Sequence, residues 1–121
     1  MTRVSVIIPN YNGRRFLDTC LGALLRQTYA QELIEVILVD DASTDDSVAY
    51  VREHYSQVKI VELARNSGLA AGCNAGARAA DGDLLVMLNN DTEPEPGWLA
   101  ALTGVAEAHP HVGAVASKML L

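Results

Sequence analysis

The chain has 121 residues, half of them hydrophobic, which supports one compact domain with a single core. Its formal net charge of −6 argues against nucleic acid as a partner, because a polyanion needs a clustered basic face that nine lysines and arginines do not form. The two cysteines lack paired spacing, and no apolar run reaches the roughly 18 residues that span a bilayer. We therefore expect buried free thiols and a cytoplasmic segment without a membrane span, although the complete protein could be tethered to a membrane elsewhere.

The chain opens with a predicted strand and an amphipathic helix. The run from Val4 to Ile8 is rich in β-branched residues, and Pro9 marks the end of the strand because it has no N–H to donate to a ladder. Residues 10–13 form a turn. Apolar residues from Phe16 to Leu25 then recur at helical spacing, which predicts a helix packed by one face on a sheet.

Two carboxylates follow the second predicted strand. This strand covers Glu35 to Val39, and Asp40 and Asp41 come directly after it. Ser43 or Thr44 is predicted to cap the next helix, because a hydroxyl there can accept a hydrogen bond from a free N–H of the first turn. The carboxylates are thus expected at one edge of the sheet.

The third strand and the next helix are joined by small residues. Val58 to Leu63 is predicted as the strand, and an alanine-rich helix is predicted to end near Ala80. Between them lies a stretch of small residues, 66–76, which lets the backbone approach a ligand or a neighbouring strand closely.

A fourth strand runs directly into polar residues. The five apolar residues Leu84 to Leu88 precede Asn89, Asn90 and Asp91. This pattern is typical of a buried parallel strand that delivers polar side chains to the carboxyl edge of a sheet, where open α/β sheets bind ligands. Asp91 is the candidate ligand of a divalent metal, Mg²⁺ or Mn²⁺, because hard cations take carboxylate oxygen together with the diphosphate of a nucleotide.

The order of the elements predicts the fold class. A helix is expected from Trp98 to Ala108 and a last strand from Val112 to Met119. Strands that alternate with helices at this rhythm predict an α/β fold, a mostly parallel twisted sheet with helices on both faces, as in Rossmann-like proteins. The apolar run that ends at Leu121 would present an open edge, which predicts self-association.

The expected strand order places the two acidic positions at opposite ends of one pocket. If the first strand lies between the second and the fourth, Asp41 and Asp91 are two strand spacings apart, roughly 10 Å. A nucleoside diphosphate spans about that distance between its base and its phosphates. Asp41 could accept a hydrogen bond from the base and Asp91 could hold the metal, with Asn12 and the backbone of 9–11 as the floor between them.

Five sequence blocks together resemble a known family. They are VSVIIPNYNG at 4–13, QTY at 27–29, VDDASTDDS at 39–47, NSGLAAGCNAG at 66–76 and LNNDT at 88–92. The chain resembles a family 2 glycosyltransferase with the GT-A fold, and within that family the rhamnosyltransferase-like members that build cell-surface polysaccharide. The resemblance implies an inverting transfer of a sugar from a nucleotide-diphosphate sugar to a glycan or lipid-linked acceptor, with a divalent metal stabilising the departing diphosphate.

The resemblance also implies roles for individual residues. The residues that would hold the nucleoside are Pro9, Tyr11, Asn12 and Asp41. Those that would line the phosphate and sugar side are Asn66, Gly68, Gly72 and Asn74. The family's metal-binding DxD signature appears here as Asn89, Asn90 and Asp91. Only Asp91 keeps a carboxylate, and the two asparagines could hydrogen-bond ribose or phosphate, while Asp40 would shape its turn.

The catalytic base implied by the resemblance has no counterpart in this sequence. In the family, an aspartate of a later segment deprotonates the acceptor hydroxyl, and this chain ends at Leu121. We therefore expect residues 1–121 to form a single GT-A domain that is incomplete at its carboxyl end. Such a chain would bind a donor nucleotide and transfer no sugar, since transfer needs the acceptor positioned and deprotonated.

Two other classes of protein compete with this interpretation. A nucleotidyltransferase would use a similar sheet and metal, but it needs a basic, glycine-rich loop soon after the first strand, and residues 9–13 lack that composition. A non-catalytic nucleotide-binding or phosphoacceptor module would place acidic residues after the first strand, where Asn10 and Asn12 stand instead. Lys118, near the end of the last predicted strand, is the feature that favours this second alternative.

Overall fold

The structure is a computed structural model and describes residues 2–111 and 113. In chain order its elements are β1 (Val4–Asn10), α1 (Arg14–Leu25), a 3₁₀ turn (Gln31–Leu33), β2 (Ile34–Asp40), α2 (Ser47–His54), β3 (Lys59–Glu62), α3 (Leu69–Ala79), β4 (Leu84–Met87) and α4 (Trp98–Ala108). The predicted strand from Val112 to Met119, and with it the apolar edge, lies outside the described residues.

The four strands form one parallel sheet in the order β3-β2-β1-β4. In its register Val4 pairs with both Ile34 and Leu84. The predicted order is therefore confirmed, with β1 between β2 and β4. Because all four strands run in the same direction, their carboxyl ends meet at one edge of the sheet.

Pro9 does not end β1, contrary to the prediction. Pairing with β2 continues to Asn10, which faces Asp40, whereas pairing with β4 ends at Ile7 and Met87, two residues before Pro9. The carbonyl of Ile7 still accepts a hydrogen bond from the N–H of Leu88 at 2.9 Å. Alternate residues of β1 therefore form the backbone hydrogen bonds to β4. Pro9 is the next residue on that side and has no N–H, so it interrupts the ladder with β4 alone.

Helices cover both faces of the sheet, as predicted. On one face, apolar residues of α1, α2 and α4 join Val4, Val6 and Ile8 of β1 in the larger core. On the other face, Ile7 of β1 packs with residues of β2 beneath α3. Within the described residues no helix is long and apolar enough to cross a membrane.

β4 is less buried than its sequence predicts. Val86 is buried, but Leu85 and Met87 are 43% and 49% exposed. These two side chains lie on the same face of the sheet as α3, which packs against β1, β2 and β3. β4 is the last strand on its side of the described sheet. Within residues 2–111 and 113, β4 is thus an edge strand with one face of its apolar run partly exposed.

Gly76 of α3 lies where a side chain has no room. A Cβ at this position would stand 2.4 Å from a methyl carbon of Ile7 and 3.0 Å from one of Val39. We expect Gly76→Ala to lower the free energy of unfolding by about 1–3 kcal/mol, because it forces the helix away from the sheet. Gly72 on the same helix is the matched control, since its Cβ would meet Val39 and Pro9 only at 3.8 and 3.9 Å.

Urea unfolding of the two variants measures the difference. Gly72→Ala is expected to be neutral or stabilising by about 0.5 kcal/mol, since alanine favours the helix and finds ordinary contacts there. Equal losses in both variants would contradict the close approach of α3 to the sheet at Gly76.

Candidate functional site

A cleft of 340 Å³ opens at the carboxyl edge of the sheet, between the ends of β1, β2 and β4. Its lining residues are Pro9, Asn10, Tyr11, Asp41, Leu69, Asn89, Asn90 and Asp91. Six of them were predicted as site residues, and two, Asn10 and Leu69, were not. None of the side chains that line the cleft in the described part of the chain is basic, and two are carboxylates. An anionic ligand would therefore need a cation or backbone N–H groups.

Asp40 is buried and shapes the turn after β2. Its carboxylate accepts hydrogen bonds from the backbone N–H of Ser43 at 2.9 Å, from the Ser43 hydroxyl at 2.7 Å and from the Asn10 amide at 3.0 Å. Ala42, between them, has a left-handed φ of 60°. The predicted helix cap at Ser43 or Thr44 is wrong, because Ser43 is committed to Asp40 and α2 begins only at Ser47.

Asn12 fixes a neighbouring loop instead of lining the cleft. It has a left-handed φ of 50°, and its side-chain oxygen accepts the backbone N–H groups of Thr44 and Asp45 at 2.7 and 3.2 Å. Its own backbone N–H donates to the Ser43 hydroxyl at 2.8 Å. The loops after β1 and β2 are thereby joined, and Asn12 supports the β2 end of the cleft indirectly.

Asp41 lines the cleft and also holds the loop that precedes α3. Its two carboxylate oxygens accept the backbone N–H groups of Ser67 at 2.6 Å and Gly68 at 3.0 Å. Gly68 has a φ of 90°, which favours glycine, and the Asn66 amide donates to the Asp41 carbonyl at 3.4 Å. Asn66 and Gly68 are thus brought to Asp41, although neither lines the cleft.

Asn10 connects the two ends of the cleft, and the sequence reasoning missed it. This side chain is 1% exposed, and its oxygen accepts a hydrogen bond from the Asn90 amide at 2.8 Å. A Cβ on Gly13 would stand 2.1 Å from the nitrogen of that amide, so glycine is required beside the pair. The signal available in the sequence was the position of Asn10 directly after Pro9, at the end of the strand next to Asp40.

The remaining predicted residues are less closely tied to the cleft. Gly72 packs α3 against Pro9 and Val39, and Asn74 is exposed farther along the same helix. Neither lines the cleft. From α3 the cleft is lined instead by Leu69, at the start of the helix and 64% exposed, whereas the resemblance implied that Gly72 and Asn74 line the phosphate and sugar side.

The β4 end of the cleft, the predicted metal site, is formed by Asn89, Asn90 and Asp91. Asn89 and Asp91 are exposed and Asn90 is half-buried. No group of three histidine, cysteine, aspartate or glutamate side chains within 2–111 and 113 is arranged to hold a metal ion. One carboxylate fits a hard divalent cation that completes its coordination with phosphate oxygens and water, and it does not fit an all-protein metal cage.

Two further cavities lie away from this edge. One, of 360 Å³, has a mostly apolar lining between the end of α1 and the turn after α2. The other, of 630 Å³, lies between Thr2, Tyr29 and α4. Each contains a single carboxylate, Glu32 in the first and Glu107 in the second. Neither therefore offers the paired acidic groups found between β2 and β4.

The sequence profile of glycosyl transferase family 2 matches residues 5–119 of the 121. The chain belongs to this family. Validoxylamine A glucosyltransferase of Streptomyces hygroscopicus subsp. jinggangensis is 33% identical over 121 residues, 98% of this chain and 28% of that protein. It is not a rhamnosyltransferase by name, so the predicted subgroup stays a prediction.

Solved structures place this family 2 chain among proteins with bound nucleotides. The crystal structure of S. aureus TarS 1-349 with UDP has a TM-score of 0.82 and 26% identity, over 89% of this chain and 33% of that one. The mannosyltransferase of Pyrobaculum calidifontis, in complex with GDP-Man and Mn²⁺, has a TM-score of 0.73 and 32% identity, over 78% and 29% of the two chains. The second complex supports the use of a divalent metal in the family generally.

The family 2 chain spans about a third or less of the length of these similar proteins. The shared part contains the sheet and its carboxyl edge, and the GT-A fold predicted from the sequence blocks is confirmed. The activity, substrates and partners of the whole protein are therefore treated below as proposals.

Cys20 of α1 lies beside the β4 end of the cleft. It is fully buried, and its Sγ is 3.8 Å from the carbonyl oxygen of Asn89. Burial, together with the nearby charge of Asp91, raises the pKa of this thiol from 9.0 to about 11. Both cysteines are free, with Cys73 half-buried, as the sequence predicted for a chain without a disulfide.

The raised pKa of Cys20 makes stability depend on alkaline pH. The folded chain favours the neutral thiol, so this contribution is complete below the unfolded pKa of 9.0 and is lost as pH rises through about 11. We expect the free energy of unfolding to fall by about 3 kcal/mol more in the parent chain than in Cys20→Ala over this range. Urea unfolding of both at several pH values tests this difference.

Comparing the parent chain with Cys20→Ala cancels the contribution of the tyrosines, which titrate in the same pH range. Hydrogen bonding to Asp18 and burial raise the pKa of Tyr55 to about 12, and this side chain is present in both variants. Cys20→Ala will be less stable at every pH because it leaves a cavity. Parallel pH profiles in the two proteins would show that the buried thiol does not resist ionisation.

Proposed function

We propose that this chain is the donor-binding part of a glycosyltransferase that moves a sugar, with inversion, from a nucleotide-diphosphate sugar to an acceptor hydroxyl. The observation that carries the proposal is the cleft in which Asp41 and Asp91 lie at opposite ends, beyond the ends of β2 and β4 with β1 between them. Membership of family 2 supplies the reaction class.

The β2 end of the cleft is the proposed nucleoside site. Tyr11 is 52% exposed there and offers a flat apolar surface. The Asp41 carboxylate accepts two hydrogen bonds from the backbone N–H groups of Ser67 and Gly68, and it has further lone pairs that can accept from a ligand. Pro9 lines the floor between the two ends. A base stacked on Tyr11 would donate a ring N–H to Asp41, which is the contact expected from the sequence.

The β4 end is the proposed diphosphate site. Asp91 would hold Mn²⁺ or Mg²⁺, and Asn89 and Asn90 offer amide groups to ribose or phosphate oxygens. When bound, the metal would neutralise the negative charge that develops on the departing diphosphate. The acidic lining of the cleft makes such a cation necessary, because two carboxylates would otherwise repel the ligand.

The acceptor side of the reaction is proposed from the family resemblance alone. A hydroxyl of a glycan or lipid-linked acceptor would attack the anomeric carbon as the bond from that carbon to the diphosphate oxygen breaks. Its proton would pass to a general base, and we assign no such base among the 121 residues. The chain would thus bind and orient the donor within a cytoplasmic enzyme of polysaccharide synthesis.

A binding screen tests the proposed function. UDP, GDP and ADP, each alone and as a sugar conjugate, would be titrated into the purified chain by calorimetry with and without MnCl₂. We expect at least one nucleotide to bind, and to bind more tightly when manganese is present. Absence of nucleotide binding under both conditions would overturn the proposal, and tight binding without acceptor-dependent transfer in the complete protein would favour a non-catalytic nucleotide-binding module.

A further inference from the structure

Three polar side chains form a hydrogen-bonded row across the ends of the strands. Asp40 of β2 accepts from the Asn10 amide at 3.0 Å, and Asn10 of β1 accepts from the Asn90 amide at 2.8 Å. Asn10 and Asp40 are 1% and 3% exposed. The row therefore runs, mostly out of water, from the nucleoside end of the cleft to the diphosphate end.

The direction of each hydrogen bond in this row is fixed by chemistry. The Asp40 carboxylate accepts hydrogen bonds only, and Ser43 already donates to it twice, at 2.9 and 2.7 Å. Asn10 must therefore turn its NH₂ group towards Asp40. Its oxygen then faces residue 90, which must supply a donor, and the amide of Asn90 does so.

A carboxylate at position 90 would not fit this arrangement. It would put two acceptors 2.8 Å apart if Asn10 kept its orientation. If Asn10 turned over, its oxygen would meet the Asp40 carboxylate at 3.0 Å instead. Gly13 lies close beside the pair, since a Cβ added there would stand 2.5 Å from the Asn10 oxygen.

We infer that Asn10 is a positioning residue for the diphosphate end of the cleft, where it sets the orientation of Asn90 and requires a neutral donor at that position. The row explains why this chain carries Asn90 in its DxD-like motif and keeps the carboxylate at Asp91. This inference rests on the proposed function, since the orientation of Asn90 matters to the reaction only if the diphosphate binds there.

Reversal of the whole row gives a sharp test. In the double variant Asp40→Asn with Asn90→Asp, the new amide at 40 can accept from the Ser43 N–H with its oxygen. Its nitrogen can donate to Asn10 and to the Ser43 hydroxyl, which then accepts where it donated before. Asn10 then turns over and donates to the carboxylate at 90. Every hydrogen bond of the row is kept in the opposite direction, and the net charge is unchanged.

We expect Asn90→Asp alone to lower the folding equilibrium constant by about tenfold, because it leaves one buried acceptor facing another. The double variant is expected to return to within about threefold of the parent chain. Asn89→Asp is the matched control, since it adds the same charge to an exposed neighbour outside the row and should leave stability unchanged. Urea unfolding of the parent, both single variants, the double variant and the control measures these values.

A second readout separates positioning from stability. UDP affinity is measured with and without MnCl₂ at a temperature where every variant is folded. Asn90→Asp should lose most of the manganese-dependent gain in affinity despite its added carboxylate, and the double variant should recover it. A residue with a purely structural role would change the unfolding curves and leave this gain intact.

The outcomes distinguish the inference from the proposed function. If the double variant is no more stable than Asn90→Asp alone, the directional row is wrong. If stability is rescued and the manganese-dependent gain is the same in every variant, Asn10 does not position the diphosphate end. If the parent chain binds no UDP or other nucleotide, the proposed function fails, and the unfolding data still decide whether the row exists.

Discussion

Replacing Asp91 by alanine is expected to abolish the manganese-dependent gain in nucleotide affinity and to leave the metal-free affinity nearly unchanged. Asp91 is the carboxylate at the β4 end of the cleft, next to two asparagines that carry no charge. Without it, a cation would be held by the nucleotide phosphates alone. The loss in the presence of manganese should be about tenfold to a hundredfold, the value of a charge-assisted contact.

Calorimetric titration of a binding nucleotide, with and without MnCl₂, measures the effect of Asp91→Ala. The matched control is Asp81→Ala, which removes another exposed aspartate that precedes β4, at the opposite edge of the sheet. This control should retain the full gain. A manganese-dependent gain that persists in Asp91→Ala would exclude this residue as the metal ligand.

Replacing Asp41 by alanine is expected to weaken nucleotide binding about tenfold or more whether or not manganese is present. The substitution removes the proposed acceptor for the base and also releases the backbone of Ser67 and Gly68. The same calorimetric titration measures it. If both Asp41→Ala and Asp91→Ala lose only the manganese-dependent part, the cleft does not have two distinct ends.

A second substitution separates the two roles of Asp41. Gly68→Ala strains the loop at a φ of 90° while the carboxylate of Asp41 stays in place. It should weaken binding less than Asp41→Ala if the carboxylate contacts the base directly. An equal loss in the two variants would mean that Asp41 acts through the loop.

The sequence predicted the sheet well because its strands have simple patterns. Apolar runs at 4–8 and 35–39 predict two of the strands, and the alternation of strands and helices predicts a parallel sheet, whose assumed order is confirmed here. The bounds of α4, Trp98–Ala108, agree with the prediction. In a parallel sheet the carboxyl ends of the strands meet at one edge, which is why the sequence predicts Asp41 and Asp91 in one cleft.

The details that failed depend on contacts that local patterns do not contain. Ser43 has the chemistry of a helix cap, but the buried carboxylate of Asp40 uses it instead. The sequence places Asn10 in a turn, and its hydrogen bond to Asn90 forms only because β4 brings the two side chains together. Long-range partners of this kind are set by the sheet as a whole, so a single sequence read in order does not reveal them.

The proline in β1 gives the two ends of the cleft different stiffness. Backbone hydrogen bonds hold the β2 side as far as Asp41, whose N–H donates to Asn10, while the ladder on the β4 side ends at Leu88 because Pro9 has no donor. In the proposed binding mode the nucleoside would enter a site that is already ordered. Residues 89–91 are held by side-chain hydrogen bonds such as that of Asn90 to Asn10 rather than by a backbone ladder. More conformational entropy would therefore be lost there on binding, and a nucleoside without phosphates would bind with the smaller entropic penalty.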